Sequence, residues 1–328
     1  MCTSLTMHYL YPDGTMKLLI FPQISDSDTA RIQAAFPQID IIRPRSEGEA
    51  LAYVVDADVM YGSITPDLLM TAQNLKWVQA NCIGMENYIF PDLVESDVVL
   101  TNVRGVFSDH IANQVWAYIL SFARGLHTFM RRQAERTWDP SGETITLADS
   151  TMGIIGLGGI GREVAARAPA FGMRVVATDP QITNCPDCVD GIRPPEELDD
   201  MLAESDFVVI CAPHASGTER LISTTQFDKM KTTAYLINIG RGVIVDLDAL
   251  TRALEVGKIA GAALDVYETE PLPSDHPLWA MGNTILTPHM AGQGPYVQDR
   301  RIDVFVANMK RFLKGEPMVT EVDKRQLF

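Results

Sequence analysis

The sequence predicts an α/β fold with two Rossmann-like, doubly wound parallel-sheet domains. Short apolar strands alternate with helical segments along most of the chain, a pattern typical of parallel sheets. The strands are apolar on both faces, as expected where helices cover both sides of a sheet. A glycine motif joins one of these strands to a helix, and the 328 residues amount to about two domains of usual length.

The composition limits the classes of function. The formal net charge is −15, which argues against binding to nucleic acid or to an anionic membrane surface. Five scattered cysteines indicate a reducing compartment rather than a disulfide framework. We find no signal-peptide pattern and no apolar stretch long enough to span a membrane, so we expect a cytoplasmic protein. No histidines have metal-ligand spacing, and no metal site is expected.

The first part of the chain is expected to form strands and short helices. Residues 4–21 have the pattern of a hairpin, with strands at Thr6–Leu10 and Met16–Phe21 around a turn at Tyr11–Gly14. The other elements expected up to residue 80 are helices at Ser27–Phe36 and Pro66–Ala72 and strands at Ile39–Ile42, Val59–Tyr61 and Lys76–Ala80.

The second part has stronger strand signals. A long helix is predicted over Asp109–Arg132 and an exposed loop over Trp138–Gly142. A last helix, Val297–Leu313, is expected to pack back on the first domain. Six strands of one parallel sheet are predicted at Met152–Ile155, Val175–Thr178, Phe207–Cys211, Leu236–Ile239, Ala260–Leu264 and Thr284–Leu286.

A dinucleotide site is predicted where the strand Met152–Ile155 meets the helical pattern Arg162–Phe171. The motif between them supplies Gly156, Gly158, Gly159, Ile160 and Gly161, whose backbone can approach a pyrophosphate closely. Asp179 follows the next strand, 18 residues after the last glycine, where an acid binds the adenosine ribose hydroxyls and repels a 2′-phosphate. Residues 180–191 contain no Lys or Arg, so we expect NAD rather than NADP.

Three polar side chains follow strands of the same predicted sheet. Arg241, Glu270 and His289 each come soon after a strand ends, and open α/β sheets bind ligands at that edge. A guanidinium can hold a carboxylate with two hydrogen bonds, and a histidine can supply a proton to a carbonyl oxygen. A carboxylate beside the imidazole favours its protonated form. The three side chains therefore suit hydride transfer to a small 2-keto acid.

With these motifs the chain resembles the D-isomer-specific 2-hydroxyacid dehydrogenase family over nearly its whole length. The resemblance rests on Gly156–Gly161, Asn238–Gly242, Glu268–Pro271 and Thr287–His289. It implies that the glycine motif binds NAD(H), that Arg241 binds the substrate carboxylate, and that Glu270 and His289 act as an acid/base pair.

The resemblance also implies roles for residues that the motifs alone do not assign. Ile83 and Gly84 correspond to a loop whose backbone holds the substrate carboxylate. Asp265 corresponds to a contact with the nicotinamide carboxamide. The remaining residues expected to line the cofactor are Pro213, Thr218 and Ile239.

The family's domain organisation adds further expectations. Residues 1–102 are expected to form the first part of a substrate domain, residues 103–290 an inserted NAD-binding Rossmann domain, and residues 291–328 a C-terminal helix that returns to the substrate domain. A homodimer is expected, with Trp138 packed at the domain junction or in the dimer interface.

The chain departs from the family pattern beside the expected substrate pocket, and alternative functions and an alternative role for one cysteine pair remain open. Met290–Tyr296 replaces the usual residues after the catalytic histidine, which puts the identity of the substrate in doubt. The same fold also carries phosphonate and formate oxidation, and in the C-terminal-binding-protein corepressors it senses NADH. Cys185 and Cys188 form a CxxC pair that is either a plain loop feature or a redox or metal site.

Overall fold

The computed structural model describes residues 15–182, 184–215 and 217–325. These residues form two compact units. The first unit contains the described residues up to Val106 together with those from Pro295 onward. The second unit is Phe107–Gly294.

The first unit is built on a five-stranded parallel sheet with the strand order β2-β1-β3-β4-β5. Its strands are β1 Lys17–Phe21, β2 Asp40–Ile42, β3 Val59–Gly62, β4 Trp77–Gln79 and β5 Val99–Thr101. Its helices are α1 Asp26–Ala35, α2 Glu47–Val54, α3 Pro66–Thr71, α4 Pro91–Glu95 and, from the end of the chain, α11 Val297–Phe312.

Helix α11 completes the core of the first unit. Phe305 stacks on Trp77 with ring centroids 5.4 Å apart and meets the edge of Tyr61 at 5.2 Å. The fully buried Asn308 donates a hydrogen bond to Gln79 Oε1 at 2.9 Å. Because an unpaired buried amide is costly, this bond fixes the position of α11 on the sheet as well as stabilising it.

The second unit contains a seven-stranded parallel sheet with the order β12-β11-β10-β9-β6-β7-β8. Its strands are β6 Thr151–Ile155, β7 Arg174–Thr178, β8 Gly191–Arg193, β9 Phe207–Ile210, β10 Tyr235–Asn238, β11 Gly261–Leu264 and β12 Thr284–Leu286. The strand order reverses between β6 and β9, and doubly wound sheets bind ligands at such a switch point.

Helices cover both faces of this sheet, so its strands are almost entirely buried. They are α5 Ser108–Ala123, α6 Leu126–Ala134, α7 Gly159–Ala165, α8 Leu198–Glu204, α9 Thr224–Lys229 and α10 Leu247–Glu255. Across both units, no helix among the described residues is long and apolar enough to cross a membrane.

The structure confirms the α/β class, the six predicted strands of the larger sheet and the predicted elements of the first unit from Met16 onward. The expected strand Thr6–Leu10 and turn Tyr11–Gly14 lie outside the described residues. The predicted single helix Asp109–Arg132 is wrong, because Gly125 takes a left-handed conformation (φ 65°) that ends one helix and begins the next. Strands β5 and β8, each of only three residues, were not predicted.

Candidate active site

The predicted cofactor and acid/base groups follow strands of the larger sheet. All of its strands are parallel, so their carboxyl ends lie along one edge. The glycine loop follows β6, Asp179 follows β7, and Arg241 follows β10. Glu270 and His289 come after β11 and β12 at the same edge. Ile83 and Gly84 belong to the first unit, in the loop after β4.

The glycine loop has the geometry that a bound pyrophosphate requires. Gly156 has φ 92°, and a Cβ on Gly161 would lie 2.2 Å from the Gly156 carbonyl oxygen, so neither position accepts a side chain. Gly158 is exposed, and nothing lies within 4 Å of the position its Cβ would take. The space left open at Gly158 gives a phosphate access to the backbone, so these residues fit a dinucleotide. Gly159 and Ile160 follow at the start of α7.

Asp179 is held by backbone donors at the end of β7. Its Oδ2 accepts a hydrogen bond from Leu157 N in the glycine loop at 2.8 Å. Its Oδ1 accepts from Gln181 N at 2.8 Å and from Ile182 N at 3.1 Å. The carboxylate is therefore fixed beside the glycine loop, where its negative charge would meet a 2′-phosphate unfavourably.

The loop after β9 brings two predicted cofactor-lining residues together. Thr218 Oγ1 donates to the carbonyl oxygens of Pro213 at 2.9 Å and Ala215 at 3.1 Å, and it accepts from Ala215 N at 2.8 Å. Ile239, at the end of β10, is buried and donates its N–H to Ile210 O in β9. The loop after β9 and the end of β10 are thus both held by hydrogen bonds at the same edge of the sheet.

Arg241 lies on a turn whose backbone is closely constrained. Asn238 Nδ2 donates to Arg241 O at 3.0 Å, and Asn238 Oδ1 accepts from Gly240 N at 3.1 Å. A Cβ on Gly242 would lie 1.8 Å from the carbonyl carbon of Tyr267, so only glycine fits there. The Arg241 turn therefore packs directly on the loop that carries Glu270.

Glu270 and His289, which the sequence predicts to lie close together, are in direct contact. Glu270 Oε2 lies 2.7 Å from His289 Nδ1. Glu270 Oε1 accepts a hydrogen bond from Tyr267 N at 3.0 Å, which orients the carboxylate. The side chain of His289 is 54% exposed, so its Nε2 can be reached by a substrate. With Nδ1 held by the carboxylate, Nε2 is the nitrogen that can exchange a proton with a carbonyl oxygen.

Asp265 is buried beneath the turn that carries His289. Its side chain accepts hydrogen bonds from Thr287 Oγ1 (2.5 Å), Met290 N (2.9 Å) and Ala291 N (2.8 Å). Its main-chain oxygen accepts from His289 N at 2.8 Å. The resemblance implied a contact from Asp265 to the nicotinamide carboxamide, and that contact stays a prediction. The partners that the structure gives this carboxylate all belong to the His289 turn.

Two tyrosines also contact the turn that carries His289. Neither was predicted from the sequence to be a site residue. Tyr118 forms a hydrogen bond with Thr287 Oγ1. Tyr267 donates from its hydroxyl to the carbonyl oxygens of Leu264 and Thr287, both at 3.1 Å. Burial raises the pKa of Tyr118 to about 12 and raises the pKa of Tyr267 further above its ordinary value, so both remain protonated donors.

The loop with Ile83 and Gly84 is anchored within the first unit. Cys82 Sγ donates to Gly84 O at 3.2 Å, and Tyr88 donates from its hydroxyl to Asn81 Oδ1 at 3.2 Å. Burial raises the pKa of Tyr88 to about 12. These contacts hold the loop's backbone in one conformation.

The CxxC pair lies in the loop between β7 and β8. Cys185 is exposed and its thiol donates to Val189 O at 2.9 Å, while Cys188 is half-buried. No group of three or more His, Cys, Asp or Glu side chains in the described part of the chain could hold a metal ion. The alternative of a metal site at this pair therefore has no further ligand among those residues.

This fold and edge geometry define a nicotinamide-dependent oxidoreductase, and comparison with known proteins supplies the family. A sequence model of the NAD-binding domain of the D-isomer-specific 2-hydroxyacid dehydrogenases matches residues 116–291. A glyoxylate reductase of Thermofilum pendens is 33% identical over 293 residues, which cover 87% of this chain and 86% of that protein.

Solved structures agree with this assignment. A family member from Aeromonas salmonicida superposes with a TM-score of 0.83 at 31% identity, covering 95% of this chain and 100% of the other. A member from Xanthobacter autotrophicus, solved with NADPH and MES, gives a TM-score of 0.82 at 29% identity, covering 95% and 99%. The chain belongs to the D-isomer-specific 2-hydroxyacid dehydrogenase family and is an oxidoreductase that binds a nicotinamide dinucleotide and acts on 2-keto or 2-hydroxy acids.

The raised pKa of Tyr118 predicts how stability depends on pH. Burial shifts this pKa from 10 to about 12, so folding keeps a proton that the unfolded chain releases from about pH 10 upward. The stabilisation is fully present below pH 10 and is lost as the pH rises toward 12. Urea unfolding at about pH 8 and about pH 11 should therefore show a larger loss of free energy of unfolding for the wild type than for Tyr118→Phe.

The variant Tyr53→Phe, at an exposed tyrosine of the first unit, gives the baseline for this comparison. Equal losses in the wild type and in Tyr118→Phe would mean that the Tyr118 hydroxyl does not keep its proton in the folded state.

Proposed function

We propose that this chain interconverts a small 2-keto acid and its D-2-hydroxy acid, with NAD(H) as the cofactor. The observation that carries the proposal is the 2.7 Å contact between Glu270 and His289 at the sheet edge that also carries Arg241 and the glycine loop. A 2-keto acid presents a carboxylate and an adjacent carbonyl, the two groups that a guanidinium and a protonated imidazole recognise.

Each residue is assigned one task. Arg241 holds the substrate carboxylate with its guanidinium, and the backbone of Ile83 and Gly84 contributes to the same task by resemblance to the family. His289 donates a proton from Nε2 to the carbonyl oxygen in reduction and removes it in oxidation. Glu270 keeps Nδ1 of His289 protonated and orients the ring. Bound NADH supplies the hydride.

The cofactor would be held along the same sheet edge. The glycine loop would hold the pyrophosphate through Gly156, Gly158, Gly159, Ile160 and Gly161, and Asp179 would hold the adenosine ribose. The remaining proposed contacts are Pro213, Thr218, Ile239 and Asp265. All of them lie in loops or strand ends that contacts within the second unit already order.

The proposed substrate is a compact 2-keto acid, and glyoxylate is the first candidate. The relative from Thermofilum pendens is named a glyoxylate reductase. The segment Met290–Gly294 lies next to His289, and its two glycines pack against rings at the amino end of α5. A Cβ on Gly292 would lie 3.2 Å from Phe107, the residue before the helix, and one on Gly294 would lie 2.5 Å from His110. A segment packed this closely leaves little room for adjustment, which favours small substrates.

We further propose a cytoplasmic location and a homodimer. Two apolar side chains near each other in the sequence are strongly exposed, Met130 on α6 (67%) and Trp138 in the segment where the sequence predicts a loop (98%). A second copy of the chain is the occupant we propose for them, and sedimentation velocity of the purified protein measures the assembly state directly.

The first test is a substrate panel followed by absorbance at the NADH band. We expect rapid NADH oxidation with glyoxylate, pyruvate or hydroxypyruvate and none with acetaldehyde, which has the carbonyl but lacks the carboxylate that Arg241 would hold. Larger branched or aromatic 2-keto acids extend the series. Tight NADH binding without oxidation by any 2-keto acid would contradict the proposed reaction.

The role of His289 is tested by His289→Gln, which keeps a polar side chain but cannot transfer a proton near neutral pH. We expect kcat to fall about 1000-fold while the Kd for NADH changes little. His276→Gln is the matched control, because His276 accepts a hydrogen bond from Leu278 N at the start of the 3-10 helix Pro277–Ala280 and has no task in the proposed reaction. Near-normal turnover of His289→Gln would show that another group supplies the proton.

The preference for NADH is tested at Asp179. The related structure solved with NADPH makes this a discriminating measurement. We expect the wild type to prefer NADH and Asp179→Asn to lose about tenfold in kcat/KM with NADH, because the ribose hydroxyls lose a charged acceptor, while kcat/KM with NADPH rises or stays level. Asp187→Asn, at an exposed acid of the same loop, should leave both values unchanged. A wild type that prefers NADPH would overturn the assignment.

A further inference from the structure

A chain of hydroxyl groups connects helix α5 to the turn that carries His289. Tyr118 lies on the buried face of α5, and only 2% of its surface is exposed. Its hydroxyl forms a hydrogen bond with Thr287 Oγ1, and Thr287 Oγ1 lies 2.5 Å from Asp265 Oδ1. A carboxylate can only accept, so Thr287 gives its one hydroxyl proton to Asp265, and Tyr118 must be the donor to Thr287.

Asp265, the acceptor at the end of this series of hydrogen bonds, holds most of the turn that carries His289. The Asp265 side chain accepts from Met290 N and Ala291 N as well as from Thr287, and its main-chain oxygen accepts from His289 N. The Asp265 carboxylate therefore binds the backbone on the carboxyl side of His289 and the Thr287 hydroxyl on its amino side.

His289 needs such an attachment because of its backbone conformation. Its φ is 51°, in the left-handed region that side chains other than glycine rarely occupy. A strained conformation of this kind persists only where surrounding contacts hold it, and it is typical of functional sites. In this conformation the imidazole lies against Glu270, at 2.7 Å.

We propose that Tyr118 is a positioning residue for the hydride-transfer reaction. Its hydroxyl acts through Thr287 and Asp265 to hold His289 in the left-handed conformation that places the imidazole against Glu270. The inference rests on the role proposed for His289. It adds Tyr118 on α5, 171 positions before His289 in the chain, to the residues proposed to take part in the reaction.

The variant Tyr118→Phe separates a packing role of the tyrosine ring from a role of its hydroxyl. In Tyr118→Phe the ring remains and only the oxygen is lost, so the core of α5 keeps its volume. Thr287 then loses its donor and can rotate away from Asp265. The carboxylate loses part of the network that fixes it, and the turn gains freedom without a change at any residue that touches substrate.

The matched control is Tyr235→Phe. Tyr235 is also buried in the second unit, where its ring packs on Phe122 and Phe207 at centroid distances of 4.5 and 5.5 Å. Its hydroxyl has no hydrogen-bond partner within the described ranges, and it lies at the amino end of β10, the opposite edge of the sheet from His289. The same chemical change is thus made without touching the turn.

We expect kcat of Tyr118→Phe to fall about tenfold, with KM for the 2-keto acid and Kd for NADH within about twofold of the wild type, because the change misplaces the proton donor and not the binding groups. Tyr235→Phe should keep the wild-type kcat. A kcat of Tyr118→Phe that matches the control would overturn the proposal, whatever the two variants' melting temperatures.

A double-variant cycle tests whether the hydroxyls act as one chain. Thr287→Val removes the middle hydroxyl with little change in shape, and Thr287→Ser keeps it. We expect Thr287→Ser to retain most activity and Thr287→Val to lose at least as much as Tyr118→Phe. Adding Tyr118→Phe to Thr287→Val should then cost little more, because the tyrosine has already lost its acceptor. Losses that multiply would mean that Tyr118 acts by another route.

A measurement without substrate separates this proposal from the proposed function. The chain has six histidines, and in a 1H–13C spectrum the Cε1 signal of His289 is the one lost in His289→Asn. We expect one sharp signal in the wild type and in Tyr235→Phe and a broadened or split signal in Tyr118→Phe. An unchanged signal in Tyr118→Phe would overturn the proposal for Tyr118. Failure of every 2-keto acid to react would overturn the proposed function and leave this readout decisive.

Discussion

The buried carboxylate of Asp265 is the constraint on which the arrangement at the carboxyl edge of the seven-stranded sheet depends. An ionised carboxylate removed from water is costly unless hydrogen bonds replace its hydration. At 2% exposure, Asp265 obtains those bonds from a hydroxyl and two backbone N–H groups of the segment that follows β12. The segment cannot move away without leaving a buried charge short of donors, so the position of His289 is coupled to the stability of the fold.

The Arg241 turn and the Glu270 loop are joined by close backbone packing. Gly242 has no side chain because the backbone of Tyr267 occupies the space that a Cβ would need. The N–H of Tyr267 in turn orients Glu270, and its hydroxyl bonds to Thr287 O. The backbone and hydroxyl of Tyr267 therefore connect the Arg241 turn with Glu270 and with the turn that carries His289.

The sequence predicted the strands well because short, fully apolar segments between helices have few other folded uses. It placed Arg241, Glu270 and His289 correctly at strand ends, since parallel strands share one carboxyl edge. It did not predict the break at Gly125, because a lone glycine inside a helical pattern is compatible with an unbroken helix. Tyr118 was missed for a similar reason, because a tyrosine among apolar helix positions is typical of a core residue. Only the three-dimensional structure shows that its hydroxyl contacts Thr287.

The two carboxylates near His289 have separate tasks because their environments differ. The Glu270 side chain is 36% exposed and contacts the imidazole of His289 directly. Asp265 is enclosed, and its donors are groups that do not titrate near neutral pH. A carboxylate with three fixed donors is held in one geometry. The enclosed carboxylate therefore acts as a fixed support for the turn that carries His289.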